Sequence, residues 1–205
     1  MGYPTDDDLR AAHERPAPPS YKPPSDTQIT RPNWDLWFLR QAFVVAQRGS
    51  CPRKQVGAIL VRDRDKRVIS GGYNGAPSGM PDCLEVGCEL RDIGGKPSCV
   101  RTIHAESNAL DLGGPLSEPH TMYCTVIPCR NCALRIIQHR RIHRVVYHEY
   151  YDSQNTKDVT ALFAATDEDT MRSIRAKYGE AAYHTPRVEL VQLNVPIDQV
   201  LPLYG

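Results

Sequence analysis

Two short motifs in the middle of the chain carry the residue types that hold a catalytic metal. They are His104-Ala105-Glu106 and Pro128-Cys129-Arg130-Asn131-Cys132. A catalytic zinc takes three protein ligands and leaves a fourth position for water, whose pKa falls to about 7. Cys129 and Cys132 are three residues apart, so one helical turn brings both sulfurs to one side, and a helix N-terminus there favours thiolate over thiol. With His104 as the third ligand, the spacing predicts a catalytic zinc site.

Glu106 is the candidate for proton transfer beside that metal. It lies two residues from His104 and therefore on a different helical face, close to the metal but not bound to it. A carboxylate in such a place can take a proton from water and pass it to a ring nitrogen and on to leaving ammonia. A purely structural zinc would use a fourth protein ligand and would not need this residue. The paired motifs also match the known signature of zinc-dependent nucleobase deaminases, so we expect an enzyme, a zinc-dependent hydrolase with Glu106 as its catalytic residue.

Four further cysteines lie upstream, at Cys51, Cys83, Cys88 and Cys99. Four thiolates suit a closed tetrahedral zinc, and the segment 74–101 has little apolar content with which to order itself. Unrelated buried thiols remain the alternative, because the four are scattered along the chain. We interpret Cys124, in the middle of a predicted strand, as core packing.

Strands that alternate with helices around these motifs indicate an α/β layered domain. A helix begins after Asn33, a good N-cap, and ends near Arg48. Its predicted inward stripe is Trp34, Trp37, Phe38, Gln41 and Val45. Predicted strands cover 56–61, 67–73, 120–127, 144–147 and 187–195, and predicted helices cover 104–112, 129–139, 157–165 and 167–178. The residues predicted to share one side of helix 104–112 are Ala105, Asn108, Ala109 and Leu112, and 74–95 is predicted to be a loop.

Composition narrows the class of protein. The 205 residues carry 25 basic and 24 acidic side chains, which argues against a stable nucleic-acid partner or a membrane-surface binder. No apolar run approaches the roughly 18–20 residues that span a bilayer, and the polar start does not resemble a signal peptide. We therefore expect a cytoplasmic protein. Seven prolines within 1–32 indicate an extended arm, followed by a deaminase domain over 33–152 and a C-terminal extension over 153–205.

From Cys51 to Asp152 the sequence resembles the deoxycytidylate (dCMP) deaminases of bacteria and their phages. The matching segments occur in the same order and are 56–58, 72–79, 104–109, 128–133, 145–147 and 151–152. The resemblance implies hydrolysis of dCMP to dUMP and ammonia. It implies a three-layer α/β/α cytidine deaminase-like fold with a central five-stranded mixed sheet. Similar bacterial proteins carry four cysteines at the places of Cys51, Cys83, Cys88 and Cys99, which favours a structural zinc.

The resemblance also implies ligand contacts and regulation. Asn74 matches a position that contacts sugar or base, Arg53 a basic position near phosphate, and Tyr151 with Asp152 the rim of the site. Many members are activated by dCTP and inhibited by dTTP, with Mg²⁺ on the triphosphate. The corresponding region here contains Gly72, Tyr73, Gly75 and Gly79. The family forms homo-oligomers, often hexamers. The N-terminal arm, 1–32, and the tail after Asp152 do not match its usual ends.

Two other functions remain open on the sequence. One is deamination of a different substrate: another cytosine nucleotide or nucleoside, a modified deoxycytidylate, or a tRNA adenosine. The other is a non-enzymatic, zinc-stabilised scaffold that senses nucleotides. A scaffold gives no role to Glu106, and a tRNA substrate would favour a more basic surface.

Overall fold

The computed structural model describes residues 31–93, 95, 97–151, 158–164, 168–178 and 188–201. The chain divides into two units, Met1–Arg31 and Pro32–Gly205, and the described helices and strands belong to the second unit. The predicted arm lies almost wholly outside the described residues, and the domain boundaries at 32 and 152 stay predictions. None of the helices in the described ranges combines the length and the apolar run that a membrane crossing requires.

A five-stranded mixed sheet forms the centre of the second unit. In chain order the elements are α1 (Trp34–Ala46), β1 (Gly57–Arg62), β2 (Arg67–Tyr73), α2 (Cys83–Val86), β3 (Leu90–Asp92), β4 (Pro97–Cys99), α3 (Ala105–Gly113), β5 (His120–Val126), α4 (Arg130–Gln138), β6 (Ile142–Glu149), α5 (Val159–Ala164), α6 (Glu168–Tyr178), β7 (Glu189–Gln192) and α7 (Ile197–Val200). The sheet order is β2-β1-β5-β6-β7. Strand β1 is antiparallel to β2 and β5, whereas β5, β6 and β7 run parallel.

Helices cover both faces of the sheet, which explains why β1 is an unbroken apolar run. Successive side chains of a strand point to opposite faces. On β1, Ala58 and Leu60 pack with α3, α4 and α5, and Ile59 and Val61 pack with α1. This three-layer arrangement confirms the predicted fold class.

Helix α1 begins where the sequence predicts, but its inward face is different. The Asn33 side chain accepts a hydrogen bond from Leu36 N at 2.8 Å. Trp34 and Trp37, predicted to be core, are 56% and 46% exposed, and the fully buried positions are Phe38, Leu39, Ala42 and Ala46. The reason is a close approach of helix to sheet, since a Cβ on Gly57 would lie 2.0 Å from the Ala42 carbonyl oxygen. Only small residues fit in that contact, so Ala42 and Ala46 fix which face of α1 turns inwards. At 3.6 residues per turn, Trp37 then lies on the opposite side of the helix, and Trp34 stacks on Phe38 from the flank.

Helix α3 also faces the core differently from the prediction. Leu112 is 73% exposed, whereas Leu110 is buried. The face turned to the sheet includes Gly113, where an added Cβ would lie 3.1 Å from the Leu60 side chain. Helix α3 packs on β1 and on the edge strand β2, and so its flank bearing Leu112 extends beyond the sheet.

The segment 74–95, predicted to be a loop, contains regular structure. Helix α2 begins with a capping box, in which the Asp82 carboxylate accepts from the backbone of Leu84 and Glu85 and the Glu85 side chain accepts from Asp82 N. Strands β3 and β4 form a separate antiparallel pair, with Leu90 opposite Cys99. The Asp-x-x-Glu spacing is a recognised helix start, so the sequence did carry a signal for α2.

Candidate active site

Three side chains from the starts of two helices meet beyond the C-terminal end of β5, the central strand of the sheet. His104 is the N-cap of α3, and Cys129 is the N-cap of α4, which follows the end of β5. The His104 Nδ1 atom lies 3.4 Å from the Sγ atom of Cys129 and 3.4 Å from that of Cys132. All three ligand atoms lie within 4.8 Å of one another. The fold therefore brings together the three residues that the motifs nominate.

The spacing of these atoms fits a zinc ion. Zinc bonds of about 2.3 Å to sulfur and 2.0–2.1 Å to nitrogen, at tetrahedral angles, place a sulfur and a nitrogen ligand about 3.5 Å apart. The two distances of 3.4 Å match that separation. One histidine and two cysteines form a three-ligand set, which is the number that leaves a fourth position open for chemistry. The Ser107 hydroxyl lies 3.9 Å from Cys132 Sγ and borders the set.

Hydrogen bonds among the three groups set their proton affinities. Contacts with Cys132 and His104 lower the pKa of the Cys129 thiol to about 4. The hydrogen bond to Cys129 raises the pKa of His104 to about 9, and the same neighbour raises the pKa of Cys132. The lowered pKa of Cys129 favours its thiolate, the form of cysteine that binds metal. Metal binding at such a set releases the remaining protons.

Glu106 is a buried carboxylate beside the same cluster. Its side chain is 4% exposed and hydrogen-bonds to Cys132. Burial raises the pKa of Glu106 above its ordinary value, and the neighbouring His104 opposes that shift. A carboxyl whose pKa moves up towards neutrality both accepts and donates protons readily. The arrangement places a proton carrier next to, but outside, the ligand set.

A cavity of about 490 Å³ opens onto His104, Glu106 and Cys129, which is within the usual size range of ligand pockets. Its other lining residues are Cys51, Arg53, Lys54, Val56, Asn74, Ile93, Pro97, Ser98, Cys99, Thr102, Ala105, Val126, Ile127 and Tyr151. Val126, Ile127 and Ala105 give the cavity an apolar wall beside the ligand set. The walls come from α3, from the end of β5 and from the segments before β1 and after β2.

The residues that the resemblance assigns to substrate binding differ in their hydrogen bonds and in their exposure. Asn74 lies in the cavity wall, but its amide already accepts from Val56 N and donates to the Lys54 carbonyl, both at 2.8 Å. The Arg53 guanidinium donates to the Pro97 carbonyl at 3.0 Å. Tyr151 is exposed at the cavity edge, and Asp152 lies outside the described residues.

Sequence reasoning did not single out Lys54, which also lines the cavity. Its position next to Arg53 was the only signal in the sequence, and that signal is weak because exposed lysines are common. What distinguishes Lys54 is its set of tertiary contacts with Glu149, Tyr151 and Asn74.

Three of the four upstream cysteines form a second candidate metal site. The Sγ atoms of Cys83, Cys88 and Cys99 lie within 4.8 Å of one another, and those of Cys83 and Cys99 are 3.6 Å apart. Two sulfurs on one tetrahedral zinc stand about 3.8 Å apart, so the spacing fits. Cys51 does not belong to this group, although it lines the same cavity as Cys99. It precedes β1, whereas the other three lie in the segment around α2, β3 and β4. Cys124 is fully buried in the core, as the sequence predicts.

The glycines assigned to effector binding have local structural roles. A Cβ on Gly72 would lie 2.2 Å from the Ala105 carbonyl oxygen and 2.4 Å from Ala109 N, so Gly72 permits β2 to pack against α3. Gly79 has a φ of +83°, a conformation that favours glycine. Gly75 pairs with Ile103, next to His104, and Tyr73 is exposed. The sequence of this loop is thus explained in part by the way it supports α3.

Comparisons with known proteins point to one family. The family model described as the cytidine and deoxycytidylate deaminase zinc-binding region matches residues 32–149. A deoxycytidylate deaminase of Schizosaccharomyces pombe is 38% identical over 128 residues, which are 60% of this chain and 39% of that protein. A deoxycytidylate deaminase of Mycobacterium phage D29 is 41% identical over 135 residues, which are 58% of this chain and 97% of that protein.

A solved structure agrees with these relatives. The dCMP deaminase of cyanophage S-TIM5, in complex with dCMP and dUMP, superposes with a TM-score of 0.54 at 25% identity. The match covers 80% of this chain and 100% of that one. The curated relatives differ in length, and the chain spans less than half of the fission yeast protein.

Proposed function

The chain belongs to the family of zinc-binding cytidine and deoxycytidylate deaminases, and from that membership and the geometry of its site we propose that it hydrolyses dCMP to dUMP and ammonia. The observation that carries the proposal is the ligand group of His104, Cys129 and Cys132 beside the buried carboxyl of Glu106, at a cavity that His104, Glu106 and Cys129 line. A scaffold would need the ligands but not the carboxyl. The relatives of S. pombe and phage D29 and the cyanophage structure support dCMP as the substrate.

Glu106 carries the proton through the reaction. When zinc is held by His104, Cys129 and Cys132, it supplies an activated water near neutral pH. The Glu106 carboxylate would accept a proton from water and donate it to N3 of the cytosine ring, while the water oxygen forms a bond to C4. It would then take the second proton of that oxygen and deliver it to the amino group, so that the C4–N bond breaks, ammonia leaves and C4 becomes a carbonyl. The raised pKa of Glu106, which results from burial, favours both transfers.

The rest of the cavity holds the nucleotide. The apolar wall of Val126 and Ile127 packs against the flat base and excludes water from it. Asn74, fixed by two backbone contacts, presents its remaining amide hydrogen to the sugar or base. Arg53 retains free guanidinium donors beyond its bond to Pro97 and places positive charge near the phosphate. Tyr151, and Asp152 from outside the described residues, complete the rim in this proposal.

The test is a comparison of substrates on the zinc-loaded protein. Release of ammonia is measured from dCMP, deoxycytidine, CMP and an RNA that contains the anticodon adenosine. We expect kcat/KM for dCMP to exceed that for deoxycytidine by roughly 100-fold or more, because a site built for a polar group rejects a ligand that lacks it. Equal rates would rule out recognition of the phosphate. No turnover of any cytosine compound would favour the scaffold.

A structural zinc at the second cysteine group is part of the proposal. Cys83, Cys88 and Cys99 provide three ligands, and a structural zinc takes four. Cys51 is the proposed fourth ligand, since it lines the same cavity as Cys99. Metal analysis of Cys51→Ser tests this directly. A value of two zinc ions per chain in that variant would exclude Cys51.

We also propose that this protein is regulated by nucleotides and assembles into oligomers, as the resemblance to the family implies. We assign a dCTP or dTTP site, with Mg²⁺, to the loop that holds Gly72, Tyr73, Gly75 and Gly79, and a homo-oligomer, hexameric by preference, to the active form. A cytoplasmic location fits the free thiols of the described cysteines, because reducing compartments keep metal-binding cysteines reduced. Light scattering and dCMP kinetics with and without the triphosphates test these assignments. A monomer whose rate ignores both effectors would contradict them.

A further inference from the structure

Lys54 is held in the cavity wall by three separate contacts. Its carbonyl accepts a hydrogen bond from Asn74 Nδ2 at 2.8 Å. Its Nζ atom lies 2.5 Å from Glu149 Oε1 and 5.1 Å from the centroid of the Tyr151 ring. Fixing a lysine side chain costs rotamer entropy. These contacts offset that cost and fix Lys54 at the wall of a ligand-sized cavity, where it can contact a bound molecule.

The charges around the cavity show what that ammonium can bind. Among the described lining residues, the lysine and arginine side chains are Arg53 and Lys54, and the carboxyl is Glu106. Arg53 gives one of its donors to the Pro97 carbonyl, so both cations can contribute charge to an anion in the cavity. Glu149, the acidic partner of Lys54, does not line the cavity. Lys54 thus lines the cavity, while its ammonium pairs with a carboxylate that does not line it.

The pair with Glu149 leaves the lysine charge available. The Glu149 side chain is 51% exposed, and ion pairs so open to water contribute little to stability. An ammonium has three donors, of which Glu149 uses one. The other two remain for a second anion. A phosphate monoester carries a charge of about −1.5 to −2 at neutral pH, so a lysine between it and a carboxylate relieves the repulsion between the two.

We propose that Lys54 recognises the 5′-phosphate of the substrate and that Glu149 and Tyr151 position it. The inference rests on the proposed function, because it names how that same site distinguishes a nucleotide from a nucleoside. Lys54 is a specificity-determining residue and Glu149 a positioning residue. A purely structural role, in which Lys54 only joins the start of β1 to the end of β6, would weaken nucleotide and nucleoside binding alike.

Binding of the product pair separates the two roles without any need for turnover. Titration calorimetry on the full-length, zinc-loaded chain measures the Kd of dUMP and of deoxyuridine. For Lys54→Met we expect the Kd of dUMP to rise roughly 10- to 100-fold, as loss of a hydrogen bond to a charged group implies, with the Kd of deoxyuridine unchanged. Lys66→Met is the matched control, since Lys66 lies in the turn between β1 and β2 and not in the cavity lining. Its Kd values should match those of the wild type.

Three further substitutions separate charge from position. Lys54→Arg keeps the charge and should retain most of the preference for dUMP, which also covers the case in which Lys54→Met fails to fold. Glu149→Ala should raise the Kd of dUMP by a smaller factor, and Glu149→Gln, whose amide oxygen still accepts, should restore it. On dCMP, Lys54→Met should raise KM with kcat within about threefold, because the phosphate is remote from the reacting ring.

The outcomes also separate this inference from the proposed function. A wild-type protein that deaminates dCMP while Lys54→Met binds dUMP normally overturns the role of Lys54 alone. A protein that binds dUMP through Lys54 but turns over no cytosine compound overturns the proposed reaction alone. Equal loss of dUMP and deoxyuridine affinity in Lys54→Met assigns the lysine to structure, and failure of the wild type to bind dUMP overturns both.

Discussion

Gly75 and Ile103 exchange two backbone hydrogen bonds, with N–O distances of 2.8 and 3.2 Å. Ile103 directly precedes His104, so this bridge joins the glycine-rich loop after β2 to the segment that delivers the zinc-ligating histidine. The amide of Asn74, one residue before Gly75, fixes Val56 N and the Lys54 carbonyl in turn. One short loop therefore supports both a proposed metal ligand and the proposed phosphate-binding lysine.

We expect Gly72→Ala to destabilise the protein by about 3 kcal/mol, at the upper end of overpacking effects. A Cβ there would lie 2.2 Å from the Ala105 carbonyl oxygen, and backbone atoms cannot rotate away as a side chain does. Gly71→Ala is the matched control, because its Cβ would meet Val45 at an ordinary 3.4 Å. Urea unfolding of the two variants measures the difference. Equal free energies of unfolding would show that α3 can move away from β2.

Replacing Glu106 by glutamine should abolish turnover without loss of metal. The amide has the shape of the carboxyl but cannot carry the proton, and loss of general acid–base catalysis lowers kcat by roughly 10²- to 10⁴-fold. Zinc content and melting temperature should stay near wild type, because Glu106 is not part of the ligand set. Ammonia release and metal analysis on one preparation provide the test. Wild-type rates in Glu106→Gln would refute the mechanism.

Cys88→Ser should lower the zinc content from two ions per chain to one and lower the melting temperature. Cys83, Cys88 and Cys99 are brought together by α2 and by strands β3 and β4, which bury little apolar surface, so a bound metal would contribute much of the order of that region. Cys124→Ala serves as the control, since Cys124 is buried in the core and belongs to neither group of candidate ligands. It should keep two zinc ions. An unchanged stoichiometry in Cys88→Ser would remove the second site.

Asp35 should make the stability of the fold depend on pH. The Arg144 guanidinium donates to both oxygens of this carboxylate, at 2.7 and 2.8 Å, and the Tyr123 hydroxyl donates at 2.9 Å. These contacts hold the pKa of Asp35 below its usual value of 3.8. Because the folded-state pKa is depressed, the contribution is fully present above about pH 4 and is lost as the pH falls through the lower, folded-state value.

The measurement is the difference in free energy of unfolding between wild type and Asp35→Asn from pH 7 to pH 2.5. We expect about 2 kcal/mol at neutral pH, in line with hydrogen bonds to charged groups, and a smaller difference in acid. Asp65→Asn, which removes an exposed partner of Arg62, should have less effect at neutral pH. A difference for Asp35→Asn that stays constant over this range would exclude the pairing as its source.

The zinc motifs and the order of strands and helices could be read from the sequence because both depend on short-range patterns. The spacing within Cys129–Cys132 is a property of one helical turn, and alternation of apolar runs with turn residues marks the strands. Helix faces were harder to assign. Trp34, Trp37 and Leu112 were expected to be buried because they are hydrophobic. The close approach of α1 to Gly57 fixes a different inward face for that helix, and Leu112 lies on the flank of α3 that the sheet does not cover.

The sequence by itself determined the identity of the candidate metal-binding residue types, the presence of a glutamate beside them, and the α/β layered class. Only the tertiary structure decided which distant residues share a cavity. It grouped Cys83, Cys88 and Cys99 without Cys51, and it placed Lys54 against Glu149, 95 positions away in the chain. The physical reason is that local spacing fixes neighbours within a helical turn, whereas contacts between distant segments depend on how the whole sheet and its helices pack.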